Sequence, residues 1–343
     1  MPGERRPRRD GAHRRPAAVL TGGRADIRTV GVDLGGTKCL AVGMADGRVV
    51  EERRVPTPVG EGAVLDAVAE VVSSVADGGL EGVGVGVPGL VDHEGVLRFA
   101  PNLPGVHELA IKAELEARLG VEVRVDNDAT CAAWGERQLG AARGYDDVLL
   151  ATLGTGIGGG IVAGGRLLRG AHGFAGEIGH MVVDPDGPEC PCGQRGCWER
   201  FASGGGLGRL GRQAALEGKA PAVLELAGGD PAAVRGEHVT ATAAGGDAGA
   251  QAVLAEFAWW VAQGLANLAN VFDPRAFVLG GGLVEVGELL LAPVREAFAG
   301  LLTGAAYRPE VAIVPATLGE HAGAIGAACL FDVVREIDVP RAL

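Results

Sequence analysis

The sequence predicts an α/β protein built from two similar halves, and two observations lead to this fold class. Near the start, apolar strands at 29–33 and 39–44 flank the Gly-rich turn Leu34-Gly-Gly-Thr-Lys38. The same pattern begins again at Val148–Leu153, with 154–160 as a Gly-rich turn and 161–163 as the returning strand. Two strand–turn–strand units in one chain indicate an internal duplication, and the cleft between two such lobes is a natural ligand site.

The remaining elements of the first half follow from hydrophobic periodicity and breakers. We predict a strand at 49–55, a helix at Glu61–Val75, a buried strand at Gly82–Val87, a helix at 108–119 and a strand at 121–125. The segment Asp126-Asn-Asp128 then ends a strand and opens a helix at 129–139, with an Asp as the cap.

In the second half, the pattern predicts a helix at 250–271, a strand at 276–279, a turn at 280–282, a strand at 311–314 and a final helix at 320–334. We therefore divide the chain into a disordered Arg/Pro-rich tail at 1–28, an N-terminal lobe at 29–140 and a C-terminal lobe at 141–319. Residues 320–343 are expected to carry a helix that packs back on the N-terminal lobe.

Charge and apolar content exclude two classes of partner. The net charge is −12, but residues 1–28 carry a net charge of +5, so the remainder carries −17 and would repel a phosphate backbone. No apolar run approaches the ~20 residues that span a bilayer.

The Arg-rich start has no apolar stretch before a cleavage site, which predicts a cytoplasmic protein whose cysteines are reduced.

Two Gly-rich turns are candidate phosphate sites. In the first, glycine N–H groups and the side chains of Thr37 and Lys38 can donate to phosphate, while Asp33 can hold Mg²⁺. The alternative is an ordinary hairpin; no P-loop motif is present. The second turn matches G-x-G-x-x-G, but a dinucleotide site needs a helix to follow the glycines, and here a strand follows. A second phosphate hairpin with Thr155 as a donor fits better.

Cysteine and histidine spacing predicts a metal site. His180, Cys190, Cys192 and Cys197 offer one imidazole and three thiolates within a short loop, which suits a structural Zn²⁺ with no open position. The alternative is a set of reduced cysteines beside a hydrogen-bonded histidine. By contrast, Cys39, Cys131 and Cys329 lie in apolar surroundings and indicate buried free thiols.

Four polar residues are candidates for binding or proton transfer. Glu177 and Glu199 flank the predicted zinc ligands and could bind sugar hydroxyls, although either could be a solvated surface charge. Asp128 follows a strand and could accept a proton from an attacking hydroxyl, or it could cap a helix. Asn102 could bind a hydroxyl or serve as a turn residue.

Taken in order, the motifs DLGGTK, VPG, PN, DND, LGTGIGGG, GEIGH, CPCGQRGCWE and LGGG resemble the ROK family from about residue 30 to about residue 330. The resemblance implies the actin-like ATPase (ribonuclease H-like) two-lobed fold, with Asp128 as catalytic base. It implies sugar contacts at Gly89, Asn102, Asn127, Asp128, Glu177, His180 and Glu199. It implies nucleotide contacts at Asp33, Gly35, Gly36, Thr37, Lys38, Gly154, Thr155, Gly156, Gly281 and Gly282.

The activity implied by the resemblance is ATP-dependent phosphorylation of a hexose, with glucose and its 6-hydroxyl as the first expectation. Mg²⁺ would accompany ATP, and a homodimer or higher homo-oligomer is expected. Kinases for N-acetylglucosamine, mannose or N-acetylmannosamine are the alternatives within the family. A sugar-responsive repressor is disfavoured because residues 1–28 are too short for a helix-turn-helix domain. Ser203-Gly-Gly-Gly206 departs from the family, which commonly has an Arg here.

Overall fold

The computed structural model describes residues 27–76 and 79–332, and it contains two five-stranded sheets of the same topology. In each sheet the first three strands along the chain pair antiparallel in succession, and the last two run parallel to the first strand. Across each sheet, the third strand along the chain lies at one edge, followed by the second, the first, the fourth and the fifth. The predicted duplication is therefore present. Residues 1–26 of the predicted Arg/Pro-rich tail lie outside the described residues.

The first sheet has the order β3-β2-β1-β4-β7, with a two-stranded β5-β6 hairpin beside it. Its elements are β1 (Thr29–Leu34), β2 (Lys38–Ala45), β3 (Arg48–Pro56), α1 (Glu61–Val75), β4 (Gly82–Val87), β5 (Leu90–Val91), β6 (Leu97–Phe99), α2 (Ile111–Leu119), β7 (Glu122–Asn127) and α3 (Asp128–Gln138). β4 is buried along its whole length, as expected for a parallel strand covered on both faces.

The second sheet has the order β10-β9-β8-β11-β12. Its half contains β8 (Val148–Leu153), β9 (Ile157–Ala163), β10 (Arg166–Leu167), α4 (Glu199–Ala202), α5 (Gly204–Leu216), α6 (Pro221–Leu226), α7 (Gly236–Ala244), α8 (Ala248–Phe272), β11 (Ala276–Gly280), α9 (Glu288–Leu301) and β12 (Ala312–Pro315). α8 packs on α9 and α7 and supplies much of this half's apolar core. No helix in the described ranges has both the length and the apolarity to cross a bilayer.

A close helix pair joins the halves. α10 (Ala322–Ala328) follows β12 and lies against α3 and against β1 and β4 of the first sheet. A Cβ at Gly326 would lie 1.6 Å from the carbonyl oxygen of Cys131, so only glycine permits this approach. The buried carboxylate of Glu136 on α3 accepts the N–H groups of Thr317 and Leu318, each at 2.8 Å, and so fixes the segment that enters α10.

Four predicted details are wrong. The helix predicted at 108–119 begins at Ile111, because Glu108 has a positive φ of 51° and Leu109 pairs with Leu97. The second Gly-rich turn spans only 154–156, since Ile157 already pairs with β8. The final helix predicted at 320–334 is divided into α10 between 3₁₀ turns at Gly319–His321 and Cys329–Asp332. The cap of α3 is Asn127 and not an Asp.

The glycines after the second turn have a packing role. A Cβ at Gly160 would lie 2.5 Å from the Cβ of Ala133 on α3, and one at Gly159 would lie 2.5 Å from the carbonyl oxygen of Gly176. These residues are glycine because neighbouring backbone approaches the strand closely, which explains why a glycine run there is strand and not loop.

Candidate active site

The end of β7 and the start of α3 place two of the predicted site residues side by side. The side-chain oxygen of Asn127 accepts the N–H groups of Ala129 and Thr130 at 2.9 and 3.0 Å, and its Nδ2 donates to the carbonyl oxygen of Gly89 at 3.2 Å. Asn127 therefore caps the helix. Asp128 is the first helical residue, and one of its oxygens accepts the N–H of Ala129 at 2.8 Å.

Asp33 and Asp128 influence each other electrostatically. Asp33 lies near the end of β1, and burial raises its pKa to about 7, helped by the charge of Asp128 and opposed by Lys38. Burial likewise raises the pKa of Asp128 to about 6; the N–H of Ala129 opposes this and the charge of Glu177 adds to it. Three carboxylates from different parts of the chain thus lie close enough to interact, a pattern common at functional sites.

The predicted sugar residues of the second half surround His180. Its Nε2 lies 3.9 Å from Oε2 of Glu177, and its Nδ1 lies 3.9 Å from Oε1 of Glu199. Burial raises the pKa of Glu177, the charge of Glu199 adds to this, and His180 opposes it. A Cβ at Gly156 would lie 2.7 Å from Oε2 of Glu199, so this carboxylate adjoins the second Gly-rich turn.

Gly89 and Asn102 belong to the first half. Gly89 has a φ of 109°, and a Cβ there would lie 2.0 Å from the carbonyl oxygen of Phe99, so the position requires glycine. Asn102 lies in an exposed turn whose backbone contacts the first Gly-rich turn, since a Cβ at Gly36 would lie 2.5 Å from the carbonyl oxygen of Asn102. The two turns therefore support each other.

The predicted metal ligands converge. One ligand atom from each of His180, Cys190, Cys192 and Cys197 lies within 4.8 Å of all the others. The Sγ atoms of Cys192 and Cys197 are 3.6 Å apart, and Sγ of Cys190 is 3.8 Å from Nδ1 of His180. Two thiolates bound to Zn²⁺ at ~2.3 Å in tetrahedral geometry would lie ~3.7 Å apart, so the donor set and its spacing fit zinc. The thiol of Cys190 also contacts Oε1 of Glu199 at 3.2 Å.

The first Gly-rich turn is a closed hairpin. The N–H of Gly35 donates to the carbonyl oxygen of Lys38 at 2.9 Å, and the hydroxyl of Thr57 donates to the carbonyl oxygen of Gly35 at 2.6 Å. Gly36 and Thr37 are exposed at its tip. The ammonium group of Lys38 lies 2.9 Å from Glu320, and hydrogen bonds from Lys38 and Arg54 lower the pKa of Glu320 to about 2.

The second Gly-rich turn borders a cavity of about 460 Å³. The carbonyl oxygen of Gly154 accepts the N–H of Gly204, which ties the turn to the start of α5. Ser203 caps α5, so residues 204–206 begin a helix and are not a loop. The cavity is lined by Leu153, Gly154, Thr155, Gly204, Gly205, Gly208, Arg212, Arg235, Gly236, Glu237, Thr240, Gly282, Leu283 and Val286.

Of the predicted nucleotide residues, Gly154, Thr155 and Gly282 line this cavity. Gly281 packs closely against Leu153, which lines the cavity, because a Cβ at Gly281 would lie 2.5 Å from the carbonyl oxygen of Leu153. Sequence reasoning missed the lining residues from α5 and α7. Apart from the Gly-rich start of α5, these residues form no recognisable motif.

Comparison with known proteins shows the family of this chain. A sequence model of the ROK family matches residues 29–333. The chain belongs to the ROK family. The glucokinase of Streptomyces coelicolor is 42% identical over 316 residues, which are 90% of this chain and 98% of that protein. The glucokinase of Thermotoga maritima is 37% identical over 310 residues, 89% of this chain and 97% of that protein.

Among solved structures, a ROK family glucokinase from Streptomyces griseus in complex with glucose and AMPPNP matches with a TM-score of 0.76 and 43% identity. The match covers 88% of this chain and 98% of that one. The expected actin-like ATPase fold is thereby confirmed, together with its two lobes of equivalent sheets. The ROK family resemblance drawn from the short motifs is confirmed as well.

Proposed function

We propose that this protein transfers the γ-phosphoryl group of ATP to the 6-hydroxyl of glucose. The matched relatives named as glucokinases support the sugar and the reaction, and the complex of the S. griseus protein with glucose and AMPPNP supports the donor. The lobes proposed to close on the substrates are residues 29–140 and 141–319. Of the C-terminal segment at 320–343, α10 packs on the first sheet, and residues 333–343 lie outside the described residues.

The observation that carries the proposal is the environment of Asp128. Asn127 caps α3, so the carboxylate of Asp128 is not needed for capping and interacts with the carboxylates of Asp33 and Glu177. A pKa of about 6 leaves Asp128 ionised at neutral pH yet basic enough to accept a proton. In the proposed step, Asp128 takes the proton of the 6-hydroxyl while the hydroxyl oxygen attacks the γ-phosphorus in line. The bond from the γ-phosphorus to the β,γ-bridging oxygen breaks on the opposite side, and ADP leaves with that oxygen.

Sugar recognition is assigned to groups on both sides of Asp128. Asn102, Asn127 and the backbone at Gly89 would contact the sugar from the first lobe, and Glu177, His180 and Glu199 from the second. Carboxylates and amides suit this task because a sugar hydroxyl both donates and accepts hydrogen bonds.

The nucleotide is assigned to the two hairpins and the cavity beside the second one. The N–H groups of Gly36 and Gly156, with the hydroxyls of Thr37 and Thr155, would donate to phosphate oxygens. The N–H groups of Gly35 and Gly154 close the two turns on the carbonyl oxygens of Lys38 and Gly156. Leu283 and Val286 give the cavity an apolar wall and Thr240 a hydroxyl, as a nucleoside requires. Lys38 would have to leave Glu320 to reach a phosphate.

Two metals complete the proposal. Asp33 would hold Mg²⁺, and a cation fits there because burial and the neighbouring carboxylate of Asp128 otherwise disfavour ionisation of Asp33. Mg²⁺ would neutralise charge on the transferring phosphoryl group. A zinc ion held by His180, Cys190, Cys192 and Cys197 would be structural and would fix the segments that carry Glu177 and Glu199.

The reaction is tested by identifying the product. Purified protein is incubated with ¹³C-labelled glucose and either ATP or inorganic polyphosphate, and the phosphorylated carbon is located by NMR. We expect phosphate on the 6-oxygen with ATP. Phosphate at another position, or transfer from polyphosphate alone, would contradict the proposal.

A further inference from the structure

A short segment between β10 and His180, residues 168–176, crosses from the second half to the first. We refer to it as the strap. At the start of the strap, the N–H of Leu168 donates to the carbonyl oxygen of Ile161 at 2.8 Å. The N–H of Ala175 donates to the carbonyl oxygen of Arg169 at 3.0 Å, so the two ends of the strap are hydrogen-bonded to each other. The strap leads directly into Glu177, so its position bears on that carboxylate.

The strap forms an ion pair across the halves. Nε of Arg169 donates to Oδ2 of Asp126 at 2.6 Å; the side chains are 23% and 6% exposed. A charge-assisted pair so well shielded from water holds one geometry, because separating it leaves a buried carboxylate without compensation.

Asp126 transmits this contact to the catalytic region. Its other oxygen, Oδ1, accepts the N–H of Asn127 at 2.9 Å. Asn127 in turn caps α3 and donates to the carbonyl oxygen of Gly89. Arg169 is thus linked through two residues to the backbone that presents Asp128.

Two further contacts hold the strap on the β5-β6 hairpin of the first half. Nε2 of His93 lies 2.9 Å from the carbonyl oxygen of Gly170. Gly173 has a φ of 93°, and a Cβ there would lie 2.4 Å from the carbonyl oxygen of Val91. The strap therefore contacts the first half at Asp126, at His93 and at Val91.

We propose that Arg169 is a positioning residue for phosphoryl transfer, whose ion pair with Asp126 aligns Asp128 of the first lobe with the sugar-binding Glu177 of the second. This inference rests on the proposed function. Arg169 itself is assigned no contact with a reacting atom. A displacement of about 1 Å between a base and its substrate can cost ~10²-fold in rate. We therefore expect loss of the pair to lower turnover in addition to any loss of stability caused by the unpaired buried carboxylate.

The test compares Arg169→Gln, Asp126→Asn, the double variant and Arg169→Lys with the wild type. Turnover, glucose KM, glucose Kd by calorimetry and the melting temperature are measured for each. Arg295→Gln is the control, because Arg295 likewise forms an ion pair at 2.6 Å, to Glu288, and it lies on α9, where no part of the site is assigned.

We expect Arg169→Gln to lower kcat by ~10- to 10²-fold with a smaller change in glucose Kd. Arg169→Lys should recover part of kcat, and the double variant should be no slower than Arg169→Gln, since both changes break one interaction. Arg295→Gln should keep the wild-type kcat. A lower melting temperature with an unchanged kcat in Arg169→Gln would overturn the proposal and leave the ion pair as structural.

If Arg169→Gln does not fold, Asp126→Asn decides the matter, because it keeps the oxygen that binds the N–H of Asn127 while removing the charge. If the wild type does not phosphorylate glucose, the proposed function fails but the proposal for Arg169 is still testable. The same variants are then measured with the hexose that is phosphorylated, and a wild type that phosphorylates no hexose refutes both proposals.

Discussion

Replacing Asp128 by Asn should make the protein more stable and almost inactive at the same time. The carboxylate of Asp128 is ionised at pH 8 although burial and the charge of Glu177 disfavour ionisation. Asn has the same size and carries no charge. Asn127 still caps α3 in the variant, so the substitution removes no cap.

The magnitude follows from the pKa. A carboxylate whose pKa rises on folding from 3.8 to about 6 destabilises the folded state once it is ionised, by about 3 kcal/mol at most at ~1.4 kcal/mol for each pKa unit. Below pH 3.8 both states are protonated and the effect vanishes. It grows as the pH rises from 3.8 to 6 and is complete above 6.

The assay is thermal unfolding of wild type and Asp128→Asn, without ligands, between pH 4 and pH 8, together with kcat for glucose at pH 8. We expect a melting-temperature gain for the variant that appears only toward neutral pH, and a kcat at least ~10²-fold lower, the usual cost of losing a general base. A destabilised variant at pH 8 would refute the raised pKa of Asp128, and an unchanged kcat would refute the assignment of Asp128 as base.

Three further predictions concern pH, zinc and the cavity. The value of kcat/KM for glucose should fall as the pH drops below about 6, because protonation of Asp128 removes the base; a profile flat from pH 5 to pH 8 would argue against this. Cys192→Ser should lose about one Zn²⁺ per chain, melt at a lower temperature and weaken glucose binding through Glu199; full stability and binding without metal would contradict a structural zinc. Gly205→Leu should raise the KM for ATP by ~10-fold, about 1.4 kcal/mol, without changing glucose Kd, because a Cβ there has space and the side chain enters the cavity. Gly300→Leu, in an equally open position on α9, is the control and should change neither; an unaffected KM in Gly205→Leu would remove the cavity from the donor site.

The strands and the two Gly-rich turns could be predicted from the sequence because local signals decide them. β8 begins and ends where its apolar run does, and the thiolates and imidazole of the metal cluster lie within one short stretch of chain. The start of α2 could not be predicted, because the pairing of Leu109 with Leu97 depends on chain folding around it. The extent of the second turn could not be predicted either, because Gly160 is a strand residue packed closely against α3, and that contact is formed only in the folded chain.

The site shows the same division. Asp33, Asp128, Glu177 and the predicted zinc ligands belong to short motifs, so the sequence alone is enough to nominate them as candidate site residues. Arg212 reaches the cavity from α5, Arg235 from the residue just before α7, and Thr240 from α7, and only the fold brings them to the second hairpin. The sequence does not decide which residue of Asp126-Asn-Asp128 caps α3, because Asp and Asn are equally good caps. The backbone geometry at Asn127 decides it.

The most direct test of the proposed activity is a sugar panel with ATP as donor. We would measure kcat/KM for glucose, mannose, N-acetylglucosamine and N-acetylmannosamine under identical conditions. We expect glucose to have the highest kcat/KM of the four and to yield glucose 6-phosphate. A higher kcat/KM for any of the other three sugars, or no ATP-dependent phosphorylation of glucose, would contradict the proposed activity.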